Sequence, residues 1–287
     1  MNKRLIFFLI GLVLSFVILN IGQWIKSSQN ALEKYFYAQI SQPFQQIVKI
    51  EIPKKPNLDL QVKSAIAVKI NKNNNEKRVL YQKFSGKKLA IASLTKLMTA
   101  IIVLENLENY SSSLSQELLN SMLIESNNEA AQDLAEIIGK TEFVNLMNKK
   151  AEILGLEKTS FTNSTGLETE ESGDLINYST AKDLVKLTQY ILKKYPIIFE
   201  ISSLQNKPLR KSDGTSYLAI NTDELLGEIP NIFGGKTGWE DKAGGCMLLV
   251  LKDKQENNYL INVILGASSP TTRFEEMEKL VNWINIQ

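Results

Sequence analysis

The N-terminal part of the chain carries one long apolar run, and nothing later in the sequence resembles it. After two basic residues, the stretch Leu5–Leu19 is apolar at all but two positions, and it weakens towards Ile25. A helix needs about 20 mostly apolar residues to cross a bilayer. Basic residues before such a run favour a cytoplasmic N-terminus. The pattern predicts a single-pass anchor in the cytoplasmic membrane over residues 1–25, with the remaining chain on the extracytoplasmic face.

A cleaved signal peptide would give a similar run. No Ala-x-Ala-like site follows it and no lipobox cysteine is present, so we expect the anchor to be retained. Apolar residues at helical spacing then predict an amphipathic helix over 26–42, close to the membrane. Prolines between positions 43 and 56 mark a linker. Residues 26–60 therefore join the anchor to a domain over 61–287.

Strand patterns occur near both ends of this domain, and most of the helix patterns lie between them. Ser64–Ile70 and Arg78–Lys83 predict a hairpin, and Gly244–Leu251 and Tyr259–Leu265 predict two further strands near the C-terminus. The predicted helices are Ser93–Asn109, Leu114–Glu125, Ala130–Ile138, Glu142–Leu154, Thr180–Leu192 and Thr271–Ile286. Strands at both ends with helices between them indicate an α+β fold. We expect one antiparallel sheet built from both ends of the domain, flanked by helices, with an inserted helical lobe.

Composition narrows the chemistry. The chain has 287 residues, 44% of them hydrophobic and 22% charged, which is typical of a globular protein. Its 33 basic and 31 acidic residues leave a net charge of +2, which argues against nucleic acid as a partner. With a single cysteine and no histidine, neither an internal disulfide nor a metal site is expected, and no cofactor is implied. A Ser-His-Asp triad is impossible, so any serine nucleophile must be activated by lysine.

Three short motifs occur in a meaningful order. Ser93-Leu-Thr-Lys96 comes first, Ser126-Asn-Asn128 second, and Lys236-Thr-Gly238 third, inside a glycine-rich segment. The order Ser-x-x-Lys, Ser-x-Asn, Lys-Thr-Gly is the signature of serine enzymes that are acylated by a D-alanyl amide or a β-lactam. Each motif is weak alone, because each also describes an ordinary turn or helix start. The ordered set favours an enzyme.

The Ser-x-x-Lys pattern occurs three times, and its context separates the copies. Ser85 lies in a polar loop, and Ser179 caps an amphipathic helix, whereas Ser93 opens a helix that is apolar nearly all round. Residues three apart share a helix face, so Lys96 can reach the Ser93 hydroxyl. Burial disfavours the charged form of a lysine, and neutral Lys96 could then take the serine proton. The alternative is a capping serine with a surface lysine.

The second motif is placed between two predicted helices. Ser126 could pass a proton between Lys96 and the leaving group, and Asn128 could donate to a substrate amide carbonyl. The alternative for this motif is a helix-linking turn with Asn128 as its cap.

The third motif offers groups for substrate binding. Lys236 and Thr237 provide a charge and a hydroxyl for a carboxylate. Gly238 permits close approach of the backbone in an edge strand beside a bound peptide. The N–H of Trp239 could pair with the N–H of Ser93 as an oxyanion hole. The alternative is a glycine-rich turn with a surface lysine.

The segments around these motifs resemble the D-alanyl-D-alanine carboxypeptidases, the small penicillin-binding serine peptidases. Ala92–Ala100 looks like the nucleophile segment of that family almost residue for residue, and Leu123–Ala131 is similar to its second motif. Further similar stretches are Phe161–Leu167, Ser179–Leu184, Ala243–Cys246, Leu265-Gly266 and Arg273-Phe274. The resemblance covers roughly residues 62–285. It implies the β-lactamase/transpeptidase-like fold and the removal of terminal D-alanine from peptidoglycan stem peptides through an acyl-enzyme at Ser93. It also implies inhibition by β-lactams.

The chain departs from the family in two respects. Only 33 positions separate Ser93 from Ser126, where the family usually has a longer insert, so a shortened wall would widen the cleft and weaken activity. Many members also carry a further β-rich domain after the catalytic one, and here the N-terminal anchor would tether the enzyme instead.

Three other functions compete with carboxypeptidase activity. A class A β-lactamase needs a Glu-x-x-Asn loop, and here Glu168 and Glu171 are present without the asparagine. A D,D-endopeptidase would cut cross-links by the same chemistry. A non-catalytic cell-wall binding protein would keep the cleft without turnover.

Overall fold

The computed structural model divides the chain into two units, Met1–Asn57 and Leu58–Gln287. Across both units, the structure describes residues 3–40, 57–74, 76–106, 113–168, 176–211, 213–253 and 258–285.

The N-terminal unit contains one helix, α1, over Lys3–Ile40. The sequence predicted an anchor ending at residue 25 and a second helix beginning at 26, but α1 continues through that point without a break. Within the described residues, no helix has both the length and the apolar character needed for a membrane crossing. The predicted anchor falls partly outside them, because side chains are described only from residue 11 onwards. The predicted linker, residues 43–56, lies outside the described residues altogether.

The second unit is built on a five-stranded antiparallel sheet with the strand order β2-β1-β9-β8-β7. Its strands are β1 Ser64–Asn71, β2 Lys77–Lys83, β7 Ile232–Glu240, β8 Gly244–Asp253 and β9 Asn258–Ala267. The prediction of one sheet formed from both ends of the domain is confirmed, and β7 is an outer strand, as expected for the segment that carries Lys236-Thr-Gly238.

Four short strands form two separate pairs that the sequence did not reveal. They are β3 Leu89–Ala90 with β4 Tyr178–Ser179, and β5 Asn206–Arg210 with β6 Ser216–Ile220. The helices of this unit are α2 Lys96–Asn106, α3 Ser113–Ile124, α4 Asn128–Ile138, α5 Lys140–Ile153, α6 Ala181–Lys194, α7 Ile197–Ser202 and α8 Thr272–Asn285.

Apolar residues pack against both faces of the sheet, and the alternation along β8 shows why. Cys246, Leu248 and Val250 point into the larger cluster, which fills the space between the sheet and the helical lobe. The alternate positions, Met247 and Leu249, point into a smaller cluster under α8. Side chains along a strand alternate between its two faces, so a strand covered on both sides has no polar face.

Among the helix boundaries that differ from the sequence prediction, two lie at functional motifs. Ser93 does not open an α-helix: Ala92–Thr95 form a 3-10 turn, and α2 begins only at Lys96. The predicted end of that helix, at Asn109, lies outside the described residues. Helix α4 is capped by Asn127, whose side chain accepts from Ala130 N at 3.1 Å, so Asn128 is not the cap. Asn128 is thereby free for contacts across the cleft.

Candidate active site

The Ser93 hydroxyl lies beside a fully buried lysine. Lys96 Nζ is 2.9 Å from Ser93 Oγ, 2.7 Å from Asn128 Oδ1 and 2.7 Å from the Thr165 carbonyl oxygen. Lys96 has 0% exposure, while Ser93 is half-buried. Burial lowers the pKa of Lys96 to about 7, and the nearby Glu240 carboxylate opposes this shift.

These three contacts match the needs of a neutral amine. Neutral Lys96 has two N–H donors and one lone pair. The oxygens of Asn128 and Thr165 can only accept from it, so they take both donors. The lone pair is then directed towards the Ser93 hydroxyl, which can donate to it. The arrangement is that of a lysine base poised to take a proton from a serine.

Ser126 contacts the lysine of the third motif. Lys236 Nζ donates to Ser126 Oγ at 2.8 Å and to the Thr237 carbonyl at 3.1 Å. Burial holds the pKa of Lys236 well below its usual value, and the charges of Lys96 and Arg273 lower it further. Ser126 has a left-handed backbone, with φ 59°, which is uncommon for a residue other than glycine. Ser126, which was predicted to pass a proton from Lys96, therefore contacts Lys236. Within the second motif, Asn128 is the residue that contacts Lys96.

The short segment between the first two motifs does not prevent them from meeting. Asn128 and Ser126 both reach their lysine partners at hydrogen-bond distance. A bridge from the third motif also supports this arrangement: Thr222 N donates to the Ile124 carbonyl at 3.2 Å, and the hydroxyls of Thr222 and Thr237 lie 2.7 Å apart.

Strand β7 passes very close to the nucleophile turn at Gly238. A Cβ placed at Gly238 would lie 2.9 Å from Ser93 N and 3.1 Å from Ala92 Cβ, so a side chain there would displace the turn. Arg273 of α8 donates from Nη1 to the Gly238 carbonyl at 2.9 Å, a contact that sequence reasoning did not anticipate. Trp239 is half-buried next to this point. Its role in an oxyanion hole with Ser93 remains a prediction.

The loop over residues 163–167 supplies the carbonyl group of Thr165 that contacts Lys96. Asn163 Oδ1 accepts from the backbone N–H groups of Thr165 and Gly166 at 3.1 and 2.7 Å, and Thr99 Oγ1 donates to the Ser164 carbonyl at 2.6 Å. These bonds hold the Thr165 carbonyl against Lys96. Sequence reasoning found this segment only as a resemblance. A backbone carbonyl has no sequence signature, and the sole local signal was the glycine that follows.

We expect Gly166→Ala to destabilise the domain. Gly166 has φ 90°, and a Cβ there would lie 2.0 Å from the Ala92 carbonyl oxygen. Backbone strain and the forced shift together should lower the free energy of unfolding by about 3 kcal/mol. Chemical denaturation measures this change. Gly86→Ala is the control, since no atom of the described part of the chain lies within 4 Å of a Cβ at that position. Equal stability of the two variants would contradict the described packing.

Glu168 is not presented as a free base. Its carboxylate oxygens accept from the backbone N–H groups of Lys242 and Ala243 at 2.9 and 3.0 Å. Glu171 lies outside the described residues. Of the two candidate carboxylates for a class A β-lactamase, Glu168 is therefore engaged in joining two loops.

Comparisons with known proteins agree with one another. The model of the family described as D-alanyl-D-alanine carboxypeptidase matches residues 50–116 and 111–269. D-alanyl-D-alanine carboxypeptidase DacF of Bacillus subtilis is 32% identical over 252 residues, which cover 78% of this chain and 62% of DacF. A D-alanyl-D-alanine endopeptidase of Pseudomonas aeruginosa is 30% identical over 260 residues, covering 81% of each chain.

A solved structure shares the fold. Penicillin-binding protein D2 from Listeria monocytogenes, in its ampicillin-bound form, has a TM-score of 0.69 and 30% identity, covering 79% of this chain and 99% of that one. The cefotaxime-bound form gives a TM-score of 0.68 at 29% identity.

Proposed function

The chain belongs to the D-alanyl-D-alanine carboxypeptidase family, and on that basis we propose that it removes the terminal D-alanine from peptidoglycan stem peptides as a serine peptidase. The observation that carries this proposal is the 2.9 Å contact between Ser93 Oγ and a fully buried Lys96 Nζ. The match with DacF covers 62% of the length of that relative. The activity of this chain is therefore a proposal and is not taken over from DacF.

The reaction follows from the contacts. Neutral Lys96 takes the Ser93 proton as Oγ attacks the carbonyl carbon of the penultimate D-alanine. The N–H groups of Ser93 and Trp239 stabilise the oxyanion. The amide C–N bond breaks, and the proton that Lys96 accepted passes through Ser126, to which Lys236 donates at 2.8 Å, to the leaving amine, so that Lys96 is neutral again. Water then attacks the ester carbon while neutral Lys96 takes its proton. The ester C–Oγ bond breaks, the proton passes from Lys96 to Ser93 Oγ, and the shortened peptide leaves with a new carboxylate.

Substrate recognition uses the edge of β7. An extended peptide can add to this outer strand by main-chain hydrogen bonds. Lys236 and Thr237 face the terminal carboxylate, and Asn128 Nδ2, whose partner oxygen holds Lys96, donates to an amide carbonyl of the substrate. β-Lactams present a similar carbonyl and carboxylate, so we expect them to acylate Ser93.

A D,D-endopeptidase is the second candidate. The relative from Pseudomonas aeruginosa bears that name, and so does a 31% identical relative from Escherichia coli. The two reactions differ only in the leaving group. The β-lactamase alternative is disfavoured because Glu168 is held by two backbone N–H groups, and a non-catalytic role is disfavoured by the assembled Ser93–Lys96 pair.

Two substrates separate these functions. Purified full-length protein is incubated with a stem peptide ending in D-Ala-D-Ala and, separately, with a cross-linked stem-peptide dimer. Release of free D-alanine from the first supports a carboxypeptidase, and monomer formed only from the second supports an endopeptidase. A β-lactam that is consumed without a lasting adduct would indicate a β-lactamase. If neither peptide nor β-lactam reacts, the protein is a binding protein.

The rate of acylation should rise with pH through about 7. Lys96 has a lowered pKa of about 7, so below that pH it is protonated and cannot accept the Ser93 proton. The neutral fraction, and with it the rate, should grow about tenfold per pH unit below 7 and level off above it. Stopped-flow acylation by a chromogenic penicillin between pH 5 and 8 measures this. A rate independent of pH across that interval would exclude Lys96 as the base.

We further propose that the protein is anchored in the cytoplasmic membrane, with the catalytic unit on the extracytoplasmic face. The apolar run Leu5–Leu19, the basic residues before it and the continuous helix α1 support this proposal. Membrane fractions washed with alkaline carbonate should retain the full-length chain. A variant lacking residues 1–25 should be washed out. Equal release of both would contradict the anchor.

A further inference from the structure

One buried carboxyl group near the site has no assigned task. Asp223 lies in the loop between β6 and β7, and only 6% of it is exposed. Its Oδ1 accepts from Leu225 N at 3.0 Å, but its Oδ2 is buried and has no hydrogen-bond partner among the described residues. Burying a carboxylate this way costs free energy, so such an atom calls for a physical explanation.

Asp223 packs directly against the strand that carries the third motif. A Cβ placed at Gly235 would lie 3.5 Å from Asp223 Oδ2. The carboxyl group therefore packs against the β7 backbone at the residue before Lys236. The preceding residue, Thr222, is joined to Thr237 by a 2.7 Å hydrogen bond between hydroxyls. The loop therefore holds the carboxyl at a fixed place against the β7 backbone at Gly235, one residue before Lys236.

Lys236 can remain protonated in its buried position only if a negative charge lies nearby. It is 2% exposed, and its described contacts, Ser126 and the Thr237 carbonyl, are both neutral. A buried ammonium without a compensating charge tends to lose its proton. Arg273 on α8 lowers the pKa of Lys236, as does Lys96 on α2 in its protonated form, and the charge of Asp223 raises it.

We propose that the Asp223 carboxylate is the counter-charge that keeps Lys236 protonated, and that Asp223 is thereby a positioning residue for the terminal carboxylate of the substrate. This inference rests on the proposed function, since it concerns how that substrate is held. Burial raises the pKa of Asp223 to about 6, so at neutral pH the group is ionised. The other charged groups that face it are Arg273 and, on its own loop, the exposed Glu224.

The sign of the effect is defined. Removing the negative charge lowers the pKa of Lys236, so the ammonium is lost at lower pH. As pH rises, binding of the substrate carboxylate should then begin to weaken at a lower pH than in the wild type. Asp223→Asn keeps an oxygen for Leu225 N and removes only the charge. We expect the alkaline rise in KM to begin at least about half a pH unit lower, equivalent to about a threefold higher KM on that limb, with a smaller change in kcat.

The experiment measures KM and kcat for a D-Ala-D-Ala peptide between pH 6.5 and 9.5, using full-length protein. Glu228→Gln, which removes an exposed carboxylate from the same loop, is the matched control and should follow the wild type. Asp223→Ser provides a second neutral variant in case the first does not fold. An alkaline limb in Asp223→Asn or Asp223→Ser that coincides with the wild type would overturn the proposal.

A failure of the proposed function is distinguishable from a failure of this inference. If the wild type releases no D-alanine but is acylated by penicillin, the carboxypeptidase proposal fails. The pH dependence of penicillin acylation, which also involves a bound carboxylate, then reports the same shift. A wild type that reacts with neither ligand would overturn both proposals.

Discussion

Replacing Ser93 by alanine is expected to abolish covalent labelling by penicillin and to reduce D-alanine release by about 10⁴-fold or more. The reason is that, within the residues that the structure describes, no other hydroxyl contacts the base. Lys96 Nζ contacts Ser93, Asn128 and Thr165, and among these only Ser93 presents a hydroxyl to it. Labelling followed by intact mass measures the effect directly.

The control for this variant is Ser85→Ala. Ser85 also begins a Ser-x-x-Lys sequence, but its hydroxyl faces Gln82 at the surface, so this variant should be labelled like the wild type. An adduct of the same mass on Ser93→Ala would move the nucleophile elsewhere, with Ser126 as the first residue to test.

Replacing Lys96 by methionine is expected to lower the acylation rate by about 10²- to 10⁴-fold, the usual contribution of a general base. Methionine fills a similar volume but has no basic nitrogen. The residual rate should also lose its dependence on pH near 7, because the group that titrates there is removed. Stopped-flow acylation between pH 5 and 8 gives both quantities.

Lys182→Met serves as the matched control. Lys182 completes the third Ser-x-x-Lys sequence but is exposed at the start of α6, so its loss should leave acylation unchanged. Thermal unfolding of both variants confirms that they are folded. If Lys96→Met reacts at the wild-type rate, then Lys236 must be the base, since it is the other buried lysine of the described site.

Much of the fold was predictable because its signals are local. The strands β1, β8 and β9 carry long apolar stretches, and helices such as α6 repeat apolar residues at helical spacing. The pair β5 and β6 was missed for an equally local reason. It includes Pro208, and Leu218 and Ile220 face solvent, so neither strand shows the pattern of a half-buried sheet.

The site was only partly predictable. The motifs identified side chains that the structure brings together and the contact of Lys96 with Ser93. They did not predict that Lys96 contacts Asn128, since Asn128 was assigned only to the substrate. They did not identify the Thr165 carbonyl, because every residue has one and only the fold decides where it points. Asp223 was missed because it lies in the loop between β6 and β7. Whether a carboxyl group in a loop is buried depends on how the loop packs against β7, which the sequence does not show. The link between Ser126 and Lys236 spans 110 positions, a distance over which the sequence carries no geometric signal.

The nucleophile turn is held between two positions that lack side chains. Gly238 approaches it from β7, and Gly166 approaches Ala92 from the opposite loop. The turn therefore has no room to reorient, and Ala92 itself keeps a left-handed backbone, with φ 45°. The entropy of aligning the attacking oxygen is lost once, when the domain folds, and not again in each catalytic cycle. A substrate or inhibitor consequently meets a rigid nucleophile, and differences in reactivity between ligands must arise from how each ligand adapts to it.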